Sequence, residues 1–172
     1  MGRTDGAVFA DIDNDGDLDL FVSNYIGGNN LYLNDGKGSF AKVSNRIQGA
    51  KDGWGKGPTF GDIDHDGDLD LYEGDCKQAN QLYLNDGKGN FRDVTAQAMP
   101  LRRSPQASTY GFAPADYNRD GWLEGSIHTC REIAAADRNL LSHAAGSAAR
   151  AHCCATAISR RPFLRLPSAV VG

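Results

Sequence analysis

Aspartates recur with a fixed spacing in three short segments of the chain, and this spacing is typical of a loop that wraps a metal ion. The segments are residues 11–19, 62–70 and 116–124, about 50 residues apart. Carboxylates about 4 Å apart repel by roughly 4 kcal/mol per pair at a surface-like dielectric, so a loop that gathers several of them needs a counter-cation. Oxygen ligands without His or Cys select a hard ion, and a flexible, carboxylate-rich cage favours Ca2+ over Mg2+. The spacing therefore predicts Ca2+.

Comparison of the three copies indicates what each position contributes. Positions one, three and five always carry Asp or Asn and are predicted to ligate through side-chain oxygens, while the acid at position nine closes the shell. Position seven is Asp twice and then Trp, so any ligand there is predicted to be the backbone carbonyl. Glycine at position six allows the positive φ of the turn. The predicted ligands are Asp11, Asp13, Asp15, Asp17 and Asp19; Asp62, Asp64, Asp66, Asp68 and Asp70; and Asp116, Asn118, Asp120, Trp122 and Glu124.

Other positions of the loops are assigned away from the ion. The apolar residues at positions two and eight are predicted to anchor each loop in a core, and His65 at position four is predicted to face solvent. These anchors are Ile12, Ile63 and Tyr117 at position two and Leu18, Leu69 and Leu123 at position eight. A solvated acidic turn would explain one such segment, but it fits three spaced copies poorly.

The second loop also satisfies the EF-hand pattern, with Glu73 at its twelfth position. An EF-hand needs a helix on each side of the loop. The exit 69–72 instead alternates apolar and polar residues with a period of two, which indicates a strand. The first and third copies have Val22 and Ile127 in place of the glutamate. We therefore interpret the EF-hand match as accidental.

The segments around each loop predict short strands. Gly6, Gly57 and Gly111 each open an apolar run before a loop, and in the first two units a second run follows the loop. Further along, Asp35-Gly36 and Asp86-Gly87 each separate two more runs, which is a strong hairpin signal. Four antiparallel strands that recur at about 50 residues are typical of β-propeller blades.

These motifs resemble the FG-GAP/VCBS repeat family. The resemblance is carried by Phe60-Gly61 before the second loop and by the segment 82–91, and it covers residues 6–124. The family forms the propeller blades of integrin α-chain heads and of many secreted bacterial proteins, including those similar to cartilage acidic protein. It implies Ca2+ in the loop between the first two strands of each blade. The third unit departs from the pattern, because Pro114 replaces the phenylalanine and Glu124 replaces the final aspartate.

The expected architecture is an all-β β-propeller fragment. Residues 1–125 would form two four-stranded antiparallel blades, 6–44 and 57–95, and the start of a third, 111–125. A propeller typically has about 4 to 8 blades, so we expect a piece of a larger protein. The strand pattern is expected to break after Glu124, and the Ala- and Arg-rich tail 126–172 has two interpretations. It is either an out-of-frame reading of the coding DNA or a genuine appended segment, and a helical or disordered tail is compatible with both.

Composition limits the function. The net charge is −4, and the acidic residues concentrate in the repeats, which argues against a nucleic-acid partner. No signal peptide or membrane span is recognised in the sequence; by resemblance, the parent protein would be extracellular or periplasmic. The four cysteines follow no zinc or redox spacing and are predicted to be free thiols. No catalytic motif is present, so we do not expect an enzyme.

The leading hypothesis is a Ca2+-stabilised propeller segment of an extracellular scaffold or adhesion protein, in which the ion serves structure and the partner is a protein or a glycan. Two alternatives remain open. One is a lectin-type, carbohydrate-binding propeller, for which Trp54 would stack on a sugar unless it fills the gap between blades. The other is a blade of a polysaccharide lyase.

Overall fold

The described part of the chain consists of three antiparallel sheets. The computed structural model describes residues 3–47, 55–75, 79–98, 107–116, 119, 124–132 and 152–158. Two sheets have four strands and the third has three. The helical content of these residues is a 3₁₀ turn, Ser44–Arg46, and one short helix, Thr95–Ala98. The prediction of an all-β chain with two four-stranded antiparallel blades is confirmed.

Each four-stranded sheet is a simple meander in which consecutive strands are hydrogen-bonded neighbours. The first sheet comprises β1 (Arg3–Ala10), β2 (Asp19–Ile26), β3 (Asn30–Asn34) and β4 (Phe40–Lys42). The second sheet comprises β5 (Gly55–Gly61), β6 (Asp70–Asp75), β7 (Gln81–Asn85) and β8 (Phe91–Asp93). The first acidic loop, 11–19, joins β1 to β2, and the second, 62–70, joins β5 to β6.

Tight turns close the predicted hairpins. The Asp35 N–H donates to the Ser39 carbonyl at 3.1 Å, and the Asp86 N–H donates to the Asn90 carbonyl at 3.2 Å. Gly36 and Gly87 have φ of 66° and 69°, a region that glycine enters without a steric penalty. The Asp-Gly signal therefore identified both turns correctly.

Adjacent sheets share hydrophobic cores. One core joins the first sheet to the second and includes Phe21 and Leu31 from one side and Leu71 and Phe91 from the other. The Phe60 ring lies between them, 6.4 Å from that of Phe21 and 6.1 Å from that of Phe91. A second core joins the second sheet to β9. The blades therefore stabilise one another face to face.

Equivalent residues of the first two blades differ in burial. Phe9 and Leu18 of the first blade are 57% and 56% exposed, whereas their counterparts Phe60 and Leu69 pack against the shared core. The prediction that Leu18 anchors its loop is wrong. Among the described residues, no sheet covers that face of the first blade, and Leu69 is covered because the first blade precedes it.

The third sheet extends beyond the expected break. It has the order β11-β10-β9, with β9 at Ala107–Ala115, β10 at Glu124–Glu132 and β11 at His152–Ile158. The expectation that the strand pattern ends after Glu124 is wrong, because backbone pairing with β9 continues as far as Arg131 opposite Ala107. That pairing does not depend on alternating side chains.

The register of the third sheet also places Cys130 opposite Cys154. The free-thiol assignment stays a prediction. The helix considered for the tail falls mainly on 133–150, outside the described residues, as do Cys76 and Trp54. The out-of-frame interpretation likewise stays a prediction.

Candidate metal centres

Three carboxylates converge in each of the first two acidic loops. Oxygens of Asp11, Asp13 and Asp15 lie within 4.8 Å of one another in the first loop. Asp62, Asp64 and Asp70 form the corresponding triad in the second loop. The structure thus brings together six of the predicted ligands in two groups, one per blade.

The loop backbone turns through two left-handed positions. Gly16 and Gly67 have φ of 93° and 96°, as the requirement for glycine at position six predicted. Position four is left-handed too, with φ of 60° at Asn14, 65° at His65 and 61° at Arg119. Sequence reasoning missed position four. Asn at this position was a usable signal, since Asn tolerates that region better than most residues, but Arg gave none.

The acid at position nine closes each loop through backbone hydrogen bonds. Asp19 accepts from the N–H of Ile12 at 3.0 Å and from that of Asn34 at 2.8 Å. Asp70 repeats this with Ile63 at 2.8 Å and Asn85 at 2.9 Å. Both aspartates are buried. In the second blade the acid also belongs to the triad, whereas Asp19 lies outside the first triad.

Inside the loops, the carboxylates at positions one and five also organise the turn. Asp11 accepts from the N–H groups of Asp15 and Gly16 at 3.2 and 3.1 Å. The side chains of Asp15 and Asp66 each accept from the N–H two residues later, at 2.9 Å in both loops. Asp15 therefore serves both the turn and the triad, whereas Asp66 lies outside its own triad.

The aspartates at position seven are not members of the triads. Asp17 and Asp68 contact the hairpin glycines of their own blades, and a Cβ on Gly36 or Gly87 would collide with their carboxylates. Asp68 also accepts a hydrogen bond from the Asn14 amide of the first loop at 2.8 Å. This placement leaves the backbone carbonyl as the group that position seven can offer to an ion.

Three carboxylate oxygens in the loops are buried without a hydrogen-bond partner: Asp13 Oδ1, Asp62 Oδ1 and Asp64 Oδ1. Buried polar atoms are normally satisfied, because an unpaired one loses its hydration without compensation. One hard cation in each loop, held by carboxylates, would supply the missing partners of all three oxygens. The residues present therefore fit a divalent cation in both loops.

Burial and mutual repulsion also disfavour ionisation of these carboxylates. Burial, followed by the charges of Asp19, Asp15 and Asp11, raises the pKa of Asp13. Burial likewise raises the pKa of Asp64 above its ordinary value, and it raises the pKa of Asp70 to about 7. A bound cation reverses this effect because it favours the ionised form.

Glu73, at the twelfth position of the EF-hand pattern, serves a different purpose. It lies in strand β6 and is buried, with 3% of its surface exposed. Its carboxylate accepts from the Ser23 hydroxyl at 2.8 Å and from the Asn29 amide at 2.7 and 2.6 Å. Both donors belong to the first blade. Glu73 therefore links the two blades, and the second loop lacks the helical flank of an EF-hand, as the alternating exit predicted.

The third loop is only partly described. Asp116 and Arg119 are described, and Glu124 begins β10. Asn118, Asp120 and Trp122 lie outside the described residues, so a third metal site stays a prediction. Within the described ranges, neither short helix has the length and apolar character of a membrane-crossing helix.

Two comparisons with known proteins agree with this geometry. The family described as FG-GAP-like repeat matches residues 11–73 and 74–124. Over 124 residues the chain is 30% identical to Cartilage acidic protein 1 of Xenopus tropicalis, an alignment that covers 69% of this chain and 18% of that protein. The chain thus spans less than a fifth of the length of this relative.

Proposed function

The chain belongs to the FG-GAP-like repeat family, and we propose that its first two acidic loops bind Ca2+ as structural ions in the β-propeller blades of an extracellular scaffold or adhesion-type protein. The observation that carries the proposal is the set of buried carboxylate oxygens without hydrogen-bond partners, at Asp13 in one loop and at Asp62 and Asp64 in the other. A backbone that holds unpaired carboxylates together in the absence of an ion is costly, and a hard cation removes this cost.

The ligand type favours Ca2+ over other ions. Each triad offers only oxygens, which excludes the soft and imidazole-seeking metals. Mg2+ demands a near-ideal octahedron, whereas Ca2+ accepts an irregular shell of carboxylates and backbone carbonyls. Asp70 and Asp19 would hold the loop closed around the ion through their bonds to Ile63 and Ile12.

The ion would act on structure. Each loop connects the first two strands of a blade, and the adjacent Ile12 and Ile63 are buried in the cores that join the sheets. Extracellular modules bind Ca2+ with dissociation constants of roughly 0.1 to 1 mM, so such sites are largely filled outside a cell. In the proposed role, filled loops keep the blades packed and present their outer surfaces to a protein or glycan partner.

A matched pair of substitutions in the second loop tests the ligand assignment. Asp64→Ala removes a member of the triad, and Asp68→Ala removes the same charge from a carboxylate that contacts Gly87. We expect Ca2+ calorimetry on the full chain to show that Asp64→Ala abolishes one site. Asp68→Ala should leave both sites, with affinity changed by no more than a few-fold.

Two results would contradict the proposal. One is the absence of Ca2+ binding to the original chain at millimolar concentration, and the other is an equal loss of affinity in both variants. Equal loss would mean that net charge, not the triad, attracts the ion. The alternatives of a lectin-type propeller and a lyase blade stay predictions, since Trp54, the residue on which sugar stacking depended, lies outside the described residues.

A further inference from the structure

The amide of Asn85 connects the two acidic loops. We propose that Asn85 is a positioning residue that couples the loops, so that ion binding in one raises the affinity of the other. This inference rests on the proposed Ca2+ binding.

Asn85 ends β7 and is buried between the blades, with each of its groups engaged. Its side-chain NH2 donates to the Ile12 carbonyl at 2.7 Å and to the Leu69 carbonyl at 3.2 Å. Its backbone N–H donates to Asp70 at 2.9 Å, and its side-chain oxygen accepts from the Gly89 N–H at 3.2 Å. One residue therefore holds a carbonyl from each loop and a carboxylate of the second triad.

The two carbonyls that accept from the Asn85 amide belong to residues adjacent in sequence to members of the two triads. Ile12 stands between Asp11 and Asp13 of the first triad, and its own N–H donates to Asp19. Leu69 immediately precedes Asp70 of the second triad. Any opening of the first loop that moves Ile12 must break a buried hydrogen bond to the residue that supports the second loop.

The first blade contains a natural control. Asn34 is the equivalent residue, and it too donates its backbone N–H to the acid at position nine and its amide to the position-eight carbonyl, at 3.1 Å to Leu18. Among the described residues, the Asn34 amide makes no bond to a loop of another blade, and its Oδ1 is buried without a partner. Support of the local loop is therefore common to both asparagines, and the cross-blade bond is specific to Asn85.

These contacts link ion binding in the first loop to ion binding in the second. Without an ion, repulsion among the carboxylates favours opening of either loop. An ion that closes the first loop fixes the Ile12 carbonyl and, through it, the Asn85 amide, so the second loop has less freedom to lose when it binds. A single hydrogen bond of ordinary net strength limits the effect to about two- to tenfold in affinity.

A second contact between the loops provides a comparison. Asn14 donates to Asp68 at 2.8 Å, but this bond is exposed. Water competes for exposed polar groups, and leaving such a group unpaired costs little. The buried bond of Asn85 should therefore carry most of the coupling.

The test is a cycle of four full-length chains: the original, Asp13→Ala to disable the first loop, Asn85→Ala, and the double variant. Calorimetry with CaCl2 measures the affinity of the second loop in each. We expect Asp13→Ala to weaken the second site by a factor that is about two- to tenfold larger in the original background than in the Asn85→Ala background. The charge removed is the same in both backgrounds, so its direct effect cancels.

Asn34→Ala is the matched control and should preserve the original effect of Asp13→Ala on the second site. Equal effects of Asp13→Ala with and without Asn85, or a loss of coupling in Asn14→Ala instead, would overturn the inference. The absence of Ca2+ binding to the original chain would overturn the proposed function itself, so the two failures are distinguishable.

A measurement that retains Asn85 covers the case in which Asn85→Ala does not fold. In Asp64→Ala, where the first of the two coupled loops can fill and the second cannot, Ca2+ should shift the NMR signals of the Asn85 side-chain amide and slow its hydrogen exchange. Unchanged shift and exchange of this amide at saturating Ca2+ would show that filling the first loop does not reach Asn85, and the inference would fail.

Discussion

Glu73→Gln should make the chain more stable at alkaline than at acidic pH, relative to the original chain. Burial raises the pKa of Glu73 to about 7 from an ordinary value of 4.5; the hydrogen bonds from Ser23 and Asn29 oppose this rise and the charge of Asp75 adds to it. Glutamine keeps the length of the side chain and an oxygen that can accept from Ser23, but it cannot ionise. The substitution therefore isolates the cost of a buried charge between two blades.

The direction follows from which state binds the proton more tightly. Below about pH 4.5 both folded and unfolded chains hold the proton, and Glu73 contributes no pH dependence. Between about pH 4.5 and pH 7 the unfolded chain is ionised at this residue while the folded chain still holds the proton, so the folded chain progressively loses stability, and the loss is complete above pH 7. Each pH unit between the two pKa values is worth 1.36 kcal/mol, which gives a cost of about 3 kcal/mol at pH 8 and less than about 1 kcal/mol at pH 5.

Urea unfolding at pH 5 and pH 8, with EDTA to remove divalent ions, measures the effect. The stability of Glu73→Gln relative to the original chain should be about 2 to 3 kcal/mol more favourable at pH 8 than at pH 5. Any altered packing of the glutamine amide near Asn29 is the same at both pH values and drops out of this comparison. Other carboxylates titrate in both chains and also cancel.

Asp35→Asn is the control. Hydrogen bonds from the backbone N–H groups of Ser39 and Lys37 lower the pKa of the exposed Asp35. The stabilising contribution of Asp35 is therefore lost only below pH 5, the lower of the two pH values measured. Its effect on stability should be equal at pH 5 and pH 8. If the effect of Glu73→Gln on stability is also equal at pH 5 and pH 8, Glu73 ionises at an ordinary pKa and the argument from burial is refuted.

Three other predictions concern packing, backbone conformation and ion affinity. Phe60→Ala should destabilise the chain by about 3 to 5 kcal/mol in urea unfolding, whereas Phe9→Ala at the equivalent exposed position should change stability by less than about 0.5 kcal/mol; similar costs would contradict the shared core. Gly57→Ala should destabilise by more than about 1 kcal/mol, because φ is 54° and a Cβ would collide with the Tyr110 carbonyl; an unchanged melting temperature would contradict this geometry. Ca2+ affinity of the second loop should fall as the pH decreases below about 7, because Asp70 must lose its proton to ligate. Calorimetry in buffers of different ionisation enthalpy should detect the released proton. An affinity that does not depend on pH would contradict a ligand role for Asp70.

Local features of the fold were predictable from sequence because they depend on short-range chemistry. The Asp-Gly pairs identified the hairpins, the glycine at position six identified the left-handed turn, and the alternation after Asp70 identified a strand where an EF-hand would have a helix. In each case a backbone requirement restricts the residue type, so the residue reports the conformation.

Features that depend on the neighbouring blade were not predictable in this way. Leu18 and Leu69 occupy the same position of the repeat, yet one is exposed and the other is packed, because burial depends on the sheet alongside. Glu73 was assigned no role, since its donors Ser23 and Asn29 lie on another blade. Strand β10 was missed because pairing with β9, rather than side-chain alternation, defines it.

The boundaries of the matched family segments fall inside the sheets and not between them. This difference between repeat and blade affects how blades could be added to or removed from such a chain. The segment 11–73 begins in the first loop and ends within β6, so it contains the last three strands of one blade and the start of the next. Removing residues 11–61 would join β1 directly to the second loop, and β1 would take the place of β5 beside β6. A whole blade could thus be gained or lost at equivalent loop positions while the joined sheet, β1 with β6 to β8, kept four strands.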